Sequence, residues 1–117
     1  MARVVMQSST SIAANATSEN VLTGQRFERC PYAAALGGLY VTGSATGLTA
    51  ELNVGGRSVT PPTGVNVQNR FPVVPDDCLI EEWEAYAGEL IQLRGVNTTA
   101  GALTLFWRVE LVEAGME

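Results

Sequence analysis

Apolar residues recur at every second position in two stretches of the chain. In "TGLTAELNVGG", Leu48, Ala50, Leu52 and Val54 share one parity, while Thr49, Glu51 and Asn53 take the other. That alternation belongs to a β-strand buried on one face, and Gly55-Gly56 ends it with a turn. In "GVNTTAGALTLFWRVELVE", Leu103, Leu105, Trp107, Val109 and Leu111 point inward, and Thr104, Phe106, Arg108 and Glu110 point outward. The shorter run "GELIQLRGV" precedes it across "NTTAG", which predicts a long antiparallel hairpin. Gly101 suits a positive φ in that loop, and Asn97 can bond its own backbone through its side chain. The hairpin's outer face would carry Arg94, Phe106 and Arg108.

Further short strands are predicted over "RVVMQSS", "ENVLTGQRFER", "AALGGLYVTG" and "GVNVQNRFPV". Turn signals at Thr23-Gly24, Gly37-Gly38, Gly43, Gly47, Gly55-Gly56 and Pro61-Pro62 separate them. The stretch "PDDCLIEEWEAYAGELI" carries two patterns. Acids after Pro75 and the i, i+4, i+7 spacing of Leu79, Trp83 and Tyr86 suit a helix. Gly88 interrupts that pattern, and a strand places Trp83 and Ala85 together on one face, so strand is the reading adopted. About eight short strands at intervals of roughly 8–12 residues predict an all-β fold, an antiparallel β-sandwich of jelly-roll-like type. The length of 117 residues suits one domain over 1–117. Its polar segment from Gln7 to Asn20, rich in Ser, Ala, Thr and Asn, is expected to be an arm or long loop lying on a neighbour.

Composition narrows the function classes. Apolar residues make up 46% of the chain and charged residues only 16%. That is low against the usual quarter or so, so much of the surface is uncharged and suited to covering by partners. The net charge is −5 and the seven cations, all arginine, are scattered from Arg3 to Arg108. A nucleic-acid binder displaces counterions with a basic stripe, so no direct nucleic-acid ligand is expected. Arginine without lysine fits interfacial carboxylate pairing, and GC-rich coding bias gives the same composition. No stretch approaches the roughly 20 apolar residues of a membrane-spanning helix. The start has only Val4, Val5 and Met6 as an apolar run, too short for a secretory signal, so a protein made in a cytoplasm is expected.

The absence of histidine and lysine removes the Ser-His-Asp, Cys-His and Schiff-base mechanisms from a single chain. Cys30 and Cys78 are far apart and form no metal-ligand pair; small buried thiols are the expectation, a disulfide the alternative. No metal, cofactor or catalytic residue is expected. Six of the twelve acids are Asp76, Asp77, Glu81, Glu82, Glu84 and Glu89. They suit a solvated face, an acidic patch for a neighbour's arginines, a calcium site lacking its usual loop, or a glycosidase pair beside Trp83 and Tyr86. Trp83 and Trp107 read as core, and Phe106 and Tyr86, on the opposite parity, as interface candidates. The sequons at Asn15 and Asn97 read as chance matches.

The phrases "SSTSIAANAT", "SATGLTAELNVGG", "QNRFPVVPDD" and "AGELIQLRGVNTTAGALTLFWRVEL" together resemble the small β-sandwich decoration or cement proteins of tailed-bacteriophage heads. The resemblance implies a virion protein on the capsid surface that binds the major capsid protein by contact, assembles as a homo-oligomer, commonly a trimer, and catalyses nothing. It points to Arg70, Phe71, Asp76 and Asp77 as one loop-borne contact patch. A second patch would be Tyr86, Arg94, Phe106 and Arg108 on the exposed sheet face. The alternative function is a carbohydrate- or receptor-binding module of a phage tail or fibre.

Overall fold

The structure, a computed structural model, describes residues 3–73 and 77–113. It contains β1 (Arg3–Ile12), β2 (Ala16–Thr17), β3 (Ala34–Gly43), β4 (Leu48–Val54), β5 (Arg57–Gly64), β6 (Asn66–Val67), β7 (Cys78–Tyr86), β8 (Ile91–Asn97) and β9 (Leu103–Glu113). One sheet runs β1-β9-β3, with β7 and then β6 sharing the far edge of β3; the second runs β2-β8-β4-β5. Every pairing is antiparallel except a two-residue parallel contact between β3 and β6. Leaving β6 aside, each strand crosses to the other sheet except at the β4–β5 hairpin. That path makes an antiparallel β-sandwich of jelly-roll-like type.

The two alternating stretches become the facing halves of the core. Leu48, Ala50, Leu52 and Val54 of β4 are buried, as are Leu105, Trp107, Val109 and Leu111 of β9. β9 lies between β1 and β3, so Trp107 is flanked by Ser8 on one side and Val41 on the other. β7 is a strand, with Trp83 and Ala85 both buried in the core. Cys30 is buried, Cys78 half-buried, and the two do not form a disulfide.

Several expectations give way. β8 and β9 do not pair as a hairpin: β8 lies in the second sheet against β4, and β9 in the first. Side by side in one sheet, their apolar rows would point to the same face. Crossing the end of the sandwich instead brings Ile91 and Leu93 into one core with Leu105 and Trp107 of the other sheet, Gly95 lying against Leu105. Asn97 holds the crossing. Its buried amide donates to the carbonyls of Ile12 at 3.0 Å and Gly101 at 2.8 Å, and its Oδ1 accepts from Thr99 N at 2.9 Å and Thr99 Oγ1 at 2.7 Å. The full set of bonds leaves that sequon no free amide. Gly101 is not among the positive-φ glycines, which are Gly24, Gly47, Gly55, Gly56 and Gly88.

Gly37-Gly38 is no turn but the middle of β3, and close approach explains it. A methyl group on Gly37 would collide with Trp83 Cζ2, and one on Gly38 would lie 3.0 Å from the Tyr40 hydroxyl. One ring lies against the inner face and one against the outer face of the same two residues. The β3–β7 ladder shifts register here, between Gly37 and Gly38, and again between Leu39 and Tyr40. Pro61-Pro62 falls inside β5, an edge strand whose free side tolerates the missing N–H groups. "ENVLTGQRFER" forms turns, because Asn20 takes over the edge of β8 through its side chain, accepting from Leu93 N and donating to Ile91 O. Residues 7–20 do not form an arm. Gln7–Ile12 continues β1 against β9, and Ala16–Thr17 is β2 against β8.

Gly37→Ala is expected to cost about 1–3 kcal/mol through overpacking against Trp83. Gly38→Ala costs less, because the tip of Tyr40 can move. Thermal unfolding of both variants checks this; equal melting temperatures for the two would contradict the account.

Candidate functional site

Among the described residues, those singled out by sequence fall on the outer face and rim of the first sheet, with Arg94 the exception. After β6 the chain turns on the Arg70 N to Gln68 O bond of 2.7 Å and lies back across β3. Thr42 has outward parity yet is buried, because this loop covers it and its hydroxyl donates to the Arg70 carbonyl. Asp77 anchors the loop. Its carboxylate accepts from Asn66 Nδ2 at 2.5 Å, Val73 N at 2.8 Å and Arg70 Nη2 at 3.1 Å, and its backbone carbonyl accepts from Val41 N at 3.2 Å. The Asp77 side chain is fully sealed while that of Arg70 is 46% exposed. Burial pushes the Asp77 carboxyl up, but the Val73 N–H, the Asn66 amide and the Arg70 guanidinium outweigh it and hold the group below its ordinary value.

Arg70, Phe71 and Asp77 thus lie in one loop, and Asp77 is its buried fastener. Asp76 lies outside the described residues. Phe71 remains 46% exposed and leans on Phe106 of β9, ring centroids 5.2 Å apart and edge to face at 71°. The two patches expected separately therefore share this aromatic pair.

The centre of the face is a strip of charge that satisfies itself. Glu110, nearly buried despite its outward parity, accepts from Arg3 Nη2 at 2.9 Å and Arg108 Nε at 2.6 Å. Arg108 Nη1 also donates to Gln7 Oε1 at 3.2 Å. The i, i+2 spacing of Arg108 and Glu110 is visible in the sequence, whereas Arg3 enters only through the β1–β9 register.

At the opposite end, Tyr86 is 42% exposed and Arg57 lies over its ring, 5.7 Å from the centroid. Glu89 Oε1 ties the two together, accepting from Arg57 Nη2 at 3.0 Å and Tyr86 N at 2.8 Å. The Tyr86 hydroxyl donates to Glu84, and that bond, with the charge of Glu84, raises the phenol's pKa. Arg94 stands apart: it is on β8 opposite Glu51, on the outer side of the second sheet. Of the acids from Asp76 to Glu89 whose side chains the structure describes, Asp77 is buried in the loop network while Glu84 and Glu89 serve Tyr86 and Arg57.

The two outer faces differ in kind. Every large apolar side chain exposed among the described residues belongs to the first sheet or to the segment joining β6 to β7: Val5, Leu36, Val67, Phe71, Val73 and Tyr86. The second sheet contributes none. At the sides of the sandwich lie two open grooves. One, of about 410 Å³, runs between Arg57–Val59 of β5 and Trp83–Tyr86 of β7. The other, of about 520 Å³, runs between the end of β1 and residues 16–23. Among the described residues, no cluster of three or more His, Cys, Asp or Glu is placed to hold a metal ion. No family model, no curated protein and no solved structure matches the chain.

Because the folded Asp77 pKa lies below the unfolded value of about 3.9, its stabilisation is full above that pH and fades as pH falls through the folded value. Asp77→Asn is expected to cost about 1–3 kcal/mol at neutral pH and to flatten the acid limb of the stability profile. Denaturant unfolding from pH 7 downward checks both; an Asp77→Asn profile parallel to the parent's would contradict them.

Proposed function

We propose that this chain is a structural protein of a phage virion, decorating or cementing the capsid by contact with the major capsid protein, and that it works as a homo-oligomer without catalysis. The observation that carries the reading is the unequal pair of faces. A sandwich needs its inner faces for the core, and all six large exposed apolar groups among the described residues belong to the first sheet or its β6–β7 segment, which suits a contact surface. They frame a strip of paired charge, Arg3–Glu110–Arg108, whose members already neutralise one another. Covering that strip strands fewer charges than covering free arginines. Phe71 on its loop, and Leu36 and Tyr86 at the far end, are the apolar anchors of this contact surface, with the paired charges between them. The phage assignment itself rests on the resemblance carried by the quoted phrases. Jelly-roll sandwiches serve many functions, so the fold alone does not decide.

The rival, a carbohydrate- or receptor-binding module, calls for exposed rings as a platform. Both tryptophans are in the core, 5% and 1% exposed, and the face of Tyr86 is occupied by Arg57. The resemblance names a trimer as the usual oligomer.

Mass spectrometry of purified particles of the phage that encodes this chain is expected to find it at many copies per head. Phe71→Ser/Leu36→Ser, both exposed positions, is expected to fold normally and to be retained on heads at least about tenfold more weakly. Absence from purified particles, or undiminished retention of the double variant, would overturn the proposal.

A further inference from the structure

The four edges of the two sheets are not equally guarded. β2 and β6 are two residues long. β5 carries Pro61-Pro62 and two register shifts against β4, and β7 is shifted twice against β3. Short length, proline and bulges are the devices that stop an edge from pairing with another chain. β1 has none of them. Its ten residues pair with β9 in unbroken register from Arg3↔Val112 to Ile12↔Leu103. Among the described residues no backbone hydrogen bond reaches its other side. Those ten residues present an edge of about 34 Å. Its end carries the Ile12 carbonyl, already bonded by Asn97, and faces the groove beside residues 16–23. Before that end, alternate N–H and C=O groups have no backbone partner among the described residues.

We propose that this edge pairs with the same edge of a second copy, antiparallel and about a two-fold axis, so that the two first sheets become one continuous sheet. Charge selects this occupant. The chain carries −5 overall, yet Arg3 is the only charged residue in "RVVMQSSTSI". One copy of β1 therefore approaches another without the repulsion that acts between the acidic remainders.

A two-fold axis perpendicular to the sheet requires outward residues to meet outward residues. Two registers that use nearly the whole strand satisfy that. Centred on Gln7, Val5 meets Ser9 and Arg3 meets Ser11; centred on Ser8, Gln7 meets Ser9 and Val5 meets Ser11. Neither opposes like charges. The register centred on Gln7 sets the two Gln7 amides opposite each other, where they can hydrogen-bond, and every other outward pair in either register includes a serine. Exposed Val5 lies beside the seam in both, so pairing also covers apolar surface. The inference does not rest on the capsid reading. It concerns a sheet edge, not a face, and it yields a two-fold contact where the resemblance implies a trimer.

The test is the mass of the purified chain by sedimentation or native mass spectrometry. A dimer is expected for the parent. Gln7→Glu/Ser9→Glu places like charges opposite in either register, while the new carboxylate at position 7 can still accept from Arg108. The double variant is expected to weaken dimerisation by about tenfold or more. Ser58→Glu on the β5 edge should leave the dimer unchanged. Hydrogen exchange of the parent supplies a check that needs no variant: alternate amides of β1 should become protected as concentration rises. A monomeric parent, a trimer that the double variant leaves intact, or β1 exchange independent of concentration would overturn the proposal. Each of these readings is independent of whether the chain is found on phage heads.

Discussion

Two sheets, each apolar on one face, have to be closed against each other, and the rest of the molecule follows from that requirement. The inward rows of β4 and β9 meet their counterparts on β8 and β3 in one core with Trp107 at its centre. Because the core is shared, consecutive strands are most useful on opposite sheets, and, β6 aside, the chain crosses between them at every connection but the β4–β5 hairpin. Crossings need anchors at the ends of the sandwich. Asn97 serves at one end through four bonds from a single side chain. Glu89 serves at the other, linking Arg57 of β5 to the backbone of Tyr86 at the end of β7. Both are polar side chains, Asn97 bonded to core residue Ile12 itself, and both help to close the core.

Closure also limits where a partner can bind. With the inner faces committed, a partner can meet only outer faces, edges and ends. The outer face of the second sheet has no large exposed apolar side chain among the described residues, and Glu51 lies across from Arg94 there. The outer face of the first sheet combines paired charge with exposed aromatic and aliphatic groups. Its loop from 68 to 73 is held in place by the buried Asp77 carboxylate, so Phe71 is presented from a fixed platform. A rigidly presented side chain loses less entropy on contact than one on a mobile loop.

The sequence made the period-two strands legible because alternation is local: β4 and β9 can be read from seven and eleven consecutive residues. What alternation leaves open is the sheet to which a strand belongs. The β8–β9 pair reads as a hairpin because "NTTAG" is turn-like, and nothing local distinguishes a turn within one sheet from a crossing between two. Gly37-Gly38 misleads for a related reason. Two glycines signal a turn by composition, whereas here they leave room for Trp83 and Tyr40, and only Trp83's position across the ladder reveals it. In the candidate site, Arg70, Phe71 and Asp77 are near neighbours in sequence and could be grouped. The Phe71–Phe106 contact, the Arg3–Glu110 pair and the Arg57–Tyr86 stack join residues far apart in the chain and depend on register. The burial of Asp77 has no sequence signal, since a carboxylate beside a proline-rich loop reads as exposed.

The central claim is that the chain works through the outer face of its first sheet. Hydroxyl-radical footprinting of the free chain against the chain in its assembled particle tests that claim most directly. The account predicts protection at Val5, Leu36, Phe71 and Phe106, with Gln92 and Arg94 on the second sheet labelled equally in both states. Protection confined to the second sheet, or no difference between the two states, would contradict it.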